Sequence, residues 1–204
     1  NKECLLSSTY EPSSKTKMKL RAAPGAGTMY LQSECAEALA ELFAGAEEAG
    51  YKLYLKSAYR AYKTQKTMYN NRLERNNGKD DGWVSKPGAS DHQTGLGCDV
   101  VPGSWKDKSM NSNMASTPEC QWMAEHCYEY GFVIRYPEDK QDITEINYEP
   151  WHLRYVGKEV ARYIWRNGLC LEEFHEQLQA AIDAYLAAGG DARRVEDLIQ
   201  TSAE

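Results

Sequence analysis

No run of 18 or more apolar residues occurs in the 204 residues, so nothing in them reads as a membrane-spanning helix. The chain starts at Asn1 with neither Met nor an apolar signal core, and an export signal or anchor would lie outside these residues. A basic stripe is missing as well. The 24 lysines and arginines are scattered among 30 acidic residues for a net charge of −6, which argues against nucleic acid as a partner. The six cysteines contain no C-x-x-C pair, which disfavours a zinc ribbon or a thioredoxin-like motif. Cys120 and Cys127 fall seven residues apart on one expected helix, about 10 Å by helical rise, too far to bridge each other. They read as small core residues. No internal repeat or low-complexity segment is visible. Histidine is scarce, with four in the chain. The segment S-D-H-Q-T-G-L-G-C-D at 90–99 therefore stands out, since it sets His92 seven positions before Asp99 with two glycines between.

What is present is ordinary for a globular protein: 42% hydrophobic and 26% charged residues, in a length that suits one domain or one domain with an appendage. Residues 1–32, with A-P-G-A-G at 23–27, read as an irregular or partly extended arm. A helix follows from Ser33, with Ser33 as its N-cap, Leu39, Leu42, Phe43 and Ala46 on one face, and Gly50 past its end. Y-K-L-Y-L-K at 51–56 alternates as a strand does. A second helix is expected to about Leu73, stopped by N-N-G. G-L-G-C-D-V-V-P at 95–102 offers a short strand, followed by a polar loop to Ser116. Thr117 as N-cap, Pro118 at the first helical position and Gly131 as stop mark another helix. F-V-I-R-Y at 132–136 reads as a strand, and N-Y-E-P-W-H-L-R-Y as extended. The remainder is helical, with a stop at Gly168 and then Leu171, Phe174, Leu178, Ala181 and Tyr185 at heptad-like spacing. This order predicts an α+β fold, a small antiparallel sheet with flanking helices.

A catalytic zinc needs three protein ligands from His, Asp or Glu and one open position. His92, Asp99 and His152 can supply that set, and the glycines at 95 and 97 let the chain turn so that the first two converge. His152 closes E-P-W-H, where Glu149 could serve as the base that takes a proton from water at the metal. Taken alone, an aspartate in a short strand beside a loop histidine, as Asp99 is beside His92, is more often a structural hydrogen-bond partner, and Glu149 fits a carboxylate capped by its own loop at least as well as a base. His126 and His175 read as surface histidines.

The joint pattern of S-A-Y-R-A-Y-K-T-Q at 57–65, S-D-H-Q-T-G-L-G-C-D and E-P-W-H, in this order, resembles the zinc D-alanyl-D-alanine carboxypeptidases of the VanY type, which trim bacterial cell-wall peptides. The resemblance runs from about Ser33 to L-E-E-F at 171–174. It implies a Hedgehog/D,D-peptidase-like fold with one Zn2+ per chain on His92, Asp99 and His152, and Glu149 as catalytic base. Arg60 and Gln65 would grip the terminal carboxylate of the substrate. Ser90, Tyr148 and Trp151 would shape the subsite for the penultimate residue. The chain departs from the family pattern at Gly97 and Cys98, where alanine usually precedes a hydrophobic residue and the aspartate. The implied organisation is an N-terminal arm at 1–32, a zinc carboxypeptidase domain at 33–175 and a helical extension at 176–204. The implied activity is D,D-carboxypeptidase action on peptidoglycan stem peptides, by a monomer at the extracellular or cell-envelope face of a bacterium. The alternatives are an L,D-carboxypeptidase acting on tetrapeptides and a non-catalytic zinc-bearing module that binds cell-wall peptides, as the related Hedgehog-like signalling domains suggest.

Overall fold

The structure is a computed structural model, and it describes residues 5–195. The arm forms a small antiparallel ribbon of β1 (Thr16–Lys17) and β2 (Tyr30–Leu31). Helix α1 (Ser33–Glu48) follows directly. Ser33 is its first residue rather than its cap, and the serine hydroxyl instead meets Thr16 Oγ1 at 3.0 Å. Next come β3 (Leu53–Ser57), α2 (Tyr62–Arg75) and β4 (Gly97–Pro102). Helix α3 (Pro118–His126) is capped by Thr117 Oγ1, which accepts the Cys120 N–H at 3.3 Å. Strand β5 (Phe132–Ile134), a short α4 (Gln141–Thr144), β6 (His152–Tyr155), α5 (Lys158–Asn167) and α6 (Leu171–Ala187) complete the described chain. The sequence boundary drawn at 175/176 thus falls inside α6. None of the described helices is long and apolar enough to cross a membrane.

The main sheet has the order β3-β4-β6-β5, antiparallel throughout. Its register opposes Leu55 to Val100, Cys98 to Leu153 and Ile134 to Leu153. Because side chains alternate along a strand, these residues share one face, and it packs on the apolar stripe of α1 through Cys35, Leu39, Leu42 and Phe43. Fully burying one such leucine contributes about 1.5–3 kcal/mol. The opposite face carries the pair Asp99 and His152, which are also direct cross-strand partners. A register shift between Leu55 and Ser57 brings Ser57 level with Asp99. The free edge of β3 is covered by the arm, where the Ala23 N–H donates to the Leu55 carbonyl at 2.8 Å and the Leu55 N–H to that of Arg21 at 2.8 Å. A second apolar cluster of Val133, Ala161 and Ile164, joined by Leu171 and Phe174, fastens α5 and the start of α6 behind β5. Cys35, Cys98, Cys120, Cys127 and Cys170 are free and buried, and Cys4 lies outside the described residues.

Candidate active site

His92 sits in a one-turn 3-10 helix, Asp91–Thr94, that ends at Gly95 with φ +73°. That left-handed conformation suits glycine, and a Cβ there would also meet Pro12 at 3.1 Å and Gln32 at 3.2 Å. The turn is tied to the arm by Gln93, whose Nε2 donates to the Ser7 carbonyl at 2.8 Å. His92 Nδ1 lies 2.7 Å from the Ala58 carbonyl, which fixes the proton on Nδ1 and leaves the Nε2 lone pair facing inward. Asp99 comes from the centre of β4 and His152 from the first position of β6. E-P-W-H forms a tight turn in which the His152 N–H donates to the Glu149 carbonyl at 3.2 Å, with Pro150 at its second position. The turn brings Glu149 back over the same face, with its Oε2 3.8 Å from His152 Nδ1.

Among the described residues, one group of His, Cys, Asp or Glu side chains has metal-binding geometry: His92, Asp99 and His152, all buried, with ligand atoms within 4.8 Å of one another. His92 Nε2 is 3.3 Å from Asp99 Oδ2, and His152 Nδ1 is 3.0 Å from Asp99 Oδ1. A tetrahedral zinc with bonds of about 2.0–2.1 Å sets its donors about 3.3 Å apart, and the two histidine–aspartate distances are of that size, so the donor types and their spacing suit zinc. Charge is balanced tightly here. Burial opposes ionisation of Asp99, but His92 and His152 outweigh it and hold the carboxyl far below the usual carboxylate range. Burial and the nearby Arg60 push His92 down. Burial also works against the charged form of His152, yet Asp91 and Asp99 prevail and raise it to about 9. Burial pushes Glu149 up to about 8, the region in which a carboxylate can exchange protons near neutral pH.

These groups open onto a cavity of about 370 Å³ that Arg60, Gln65, Ser90, Trp151 and Tyr136 also line. Arg60 sits just past β3, where its guanidinium donates to Gln65 Oε1 at 2.7 Å and to Ser57 Oγ at 3.2 Å, with Asp99 Oδ2 at 3.9 Å. Gln65, which also lines the cavity, accepts the Arg60 hydrogen bond on its carbonyl and donates from its amide to the Ser85 carbonyl at 2.7 Å, so it holds Arg60 in place. Tyr148 is not among the lining residues, and its N–H is bound to Gln141 Oε1 at 3.0 Å. His126 bonds Glu129 at 2.8 Å on the surface and His175 is exposed, as the sequence suggests.

Sequence reasoning missed Tyr136, whose ring lies 5.1 Å from that of His152, and the charged group behind it, Asp91 and Arg135. The available signal was a charged residue inside the otherwise apolar F-V-I-R-Y strand.

The VanY family, described as D-alanyl-D-alanine carboxypeptidase, matches residues 28–158. YodJ of Bacillus subtilis strain 168 is 39% identical over 182 residues, covering 88% of this chain and 66% of YodJ. A D-alanyl-D-alanine carboxypeptidase of Enterococcus faecalis is 34% identical over 146 residues, covering 67% of this chain and 52% of that enzyme. The chain therefore spans half to two thirds of these relatives' length. Among solved structures, the LdcB LD-carboxypeptidase superposes with a TM-score of 0.78 at 39% identity, covering 84% of this chain and 81% of LdcB. A vancomycin-resistance D,D-pentapeptidase VanY in complex with Zn(II) superposes with a TM-score of 0.69 at 29% identity, covering 85% and 95%. The chain belongs to the VanY family of D-alanyl-D-alanine carboxypeptidases.

Proposed function

We propose that this chain is a zinc-dependent D,D-carboxypeptidase that removes the C-terminal D-alanine from peptidoglycan stem peptides. The observation that carries the reading is the meeting, in one cavity, of a zinc-sized donor triad, a buried carboxylate with a raised pKa and an immobilised guanidinium. His92, Asp99 and His152 would hold one zinc. When bound, zinc lowers the pKa of water to roughly 7 and polarises a carbonyl. Glu149 takes the proton of the attacking water and hands it to the departing amine of D-alanine. Arg60, pre-set by Gln65 and Ser57, forks onto the terminal carboxylate and fixes the scissile bond relative to the base. Ser90 and Trp151 wall the cavity beside this point and set the room left for the penultimate residue.

A non-catalytic peptide-binding module could use Arg60 to hold a carboxylate but has no use for a buried base at Glu149, which counts against that alternative. L,D-carboxypeptidase action on tetrapeptides is the second reading, favoured by the 39% identity to LdcB. On this reading the domain would act at the cell-envelope face of a bacterium, where such peptides are found, and we propose that it acts as a monomer. Matched stems ending in tetrapeptide and pentapeptide discriminate the two readings by kcat/KM. A preference for the pentapeptide supports the D,D assignment, and a preference for the tetrapeptide reverses it.

A further inference from the structure

His152 Nε2 is a buried ring nitrogen with no hydrogen-bond partner among the described residues. If Nδ1 faces the metal, the proton of the neutral ring is on Nε2, and that proton needs an acceptor. The carboxylate that approaches His152 at Nε2 is Asp91, whose Oδ2 stands 3.9 Å away, just outside hydrogen-bond range. Asp91 is itself buried and held from two sides. Arg135 Nε donates to its Oδ2 at 2.9 Å, and an Arg154 guanidinium nitrogen donates to its Oδ1 at 2.7 Å. Arg135 is anchored in turn by Glu172, the second residue of α6, which accepts from both terminal nitrogens of the guanidinium, one at 2.8 Å. The backbone of Arg135 also touches the same histidine, its N–H donating to the His152 carbonyl at 3.0 Å.

The departure from the family pattern at residue 97 belongs to this arrangement. A Cβ on Gly97 would stand 2.8 Å from Asp91 Cβ and 3.0 Å from its carbonyl carbon. Glycine in β4 lets the turn that carries Asp91 and His92 approach the sheet this closely.

A buried ion network of this kind is weak evidence for stability, since well-packed apolar residues often do as well or better. Its place behind a ligand-type histidine suggests another use. We propose that Asp91 is a positioning residue that accepts a hydrogen bond from the Nε2–H of His152 and so turns Nδ1 toward the metal. Arg135, Arg154 and Glu172 fix the carboxylate for that task, which makes the head of α6, beyond the 28–158 match, part of the working site. The inference rests on the metal-site reading above. Carboxylates in this role govern metal affinity by about 10–100-fold.

The test is the zinc dissociation constant, by competition with a chromophoric chelator, for the full chain and for Asp91→Asn. The variant keeps the shape and removes the charge. The expected result is about 10–100-fold weaker zinc binding, with kcat at saturating zinc lowered and KM little changed. Zinc affinity within twofold of wild type, whatever the change in Tm of the zinc-free protein, overturns the proposal, because a purely structural network would move Tm alone. Should Asp91→Asn not fold, Glu172→Gln carries the test. It is expected to weaken zinc several-fold, and unchanged affinity overturns the proposal. Failure of the wild-type chain to bind zinc would instead sink the metal-site reading itself, an outcome separable from the others.

Discussion

Glu149→Gln is expected to make the protein nearly inactive and, without metal, more stable. The two effects share one cause. Burial pushes Glu149 from the model-compound value of 4.5 up to about 8. A carboxyl whose folded pKa lies above its unfolded value takes up a proton on folding. Its contribution to stability is complete below about pH 4.5 and is lost as pH rises through 8. At about 1.4 kcal/mol per pKa unit, the loss reaches about 3 kcal/mol at pH 7 and about 5 kcal/mol above pH 8. Glutamine, neutral at every pH, escapes this loss. Urea unfolding of chelator-treated protein should therefore find the variant close to wild type at pH 5, more stable by about 3 kcal/mol at pH 7 and by more at pH 9. The catalytic effect runs the other way, because an amide cannot accept a proton from water. A general base contributes about 10²–10⁴-fold, or about 3 to 5 kcal/mol of barrier, and zinc content should be unchanged. A stability difference independent of pH would refute the buried-carboxylate reasoning, and a rate near wild type would move the base elsewhere.

Arg60→Ala should raise KM and lower kcat together, since the guanidinium both recognises the carboxylate and places the scissile bond. A peptide with an amidated C-terminus cut as fast as the free acid would refute the clamp. The zinc-free protein should also lose stability between about pH 6.5 and 9 through His152, whose raised pKa of about 9 makes its contribution full below 6.5 and lost above 9. Saturating zinc, which needs the neutral ring, should remove most of that dependence, and an equally steep profile with zinc would count against His152 as a ligand. Gly95→Ala should cost about 1–2 kcal/mol for the left-handed φ of +73°, and it should weaken zinc by disturbing the turn of His92. Thermal unfolding and zinc titration check both, and a neutral outcome would refute the strain.

The helices were legible because their signals are local. Thr117 and Pro118 mark the start of α3 by cap chemistry, while Gly131 closes not α3, which ends at His126, but the 3-10 turn Cys127–Tyr130 after it, and the stripe of Leu39, Leu42 and Phe43 marks α1 by period. The order β3-β4-β6-β5 was not legible, because β6 enters between β4 and β5 and pairing between distant segments leaves no trace in local periodicity. The candidate metal donors divide the same way. His92 and Asp99 are linked by seven residues and two glycines, whereas His152 joins them only through the cross-strand register with Asp99, and in the sequence it was marked only by Glu149 three residues before it and by the family resemblance. Asp91 and Arg135 went unread because their partners are 44 residues apart.

The most direct test of the central claim is the release of D-alanine from a stem pentapeptide as zinc is titrated into the metal-free protein. Hydrolysis should be absent at the start, rise in proportion to added zinc and level off at one equivalent per chain. His152→Ala should show no such rise. Full activity without zinc, or none at any zinc concentration, would contradict the account.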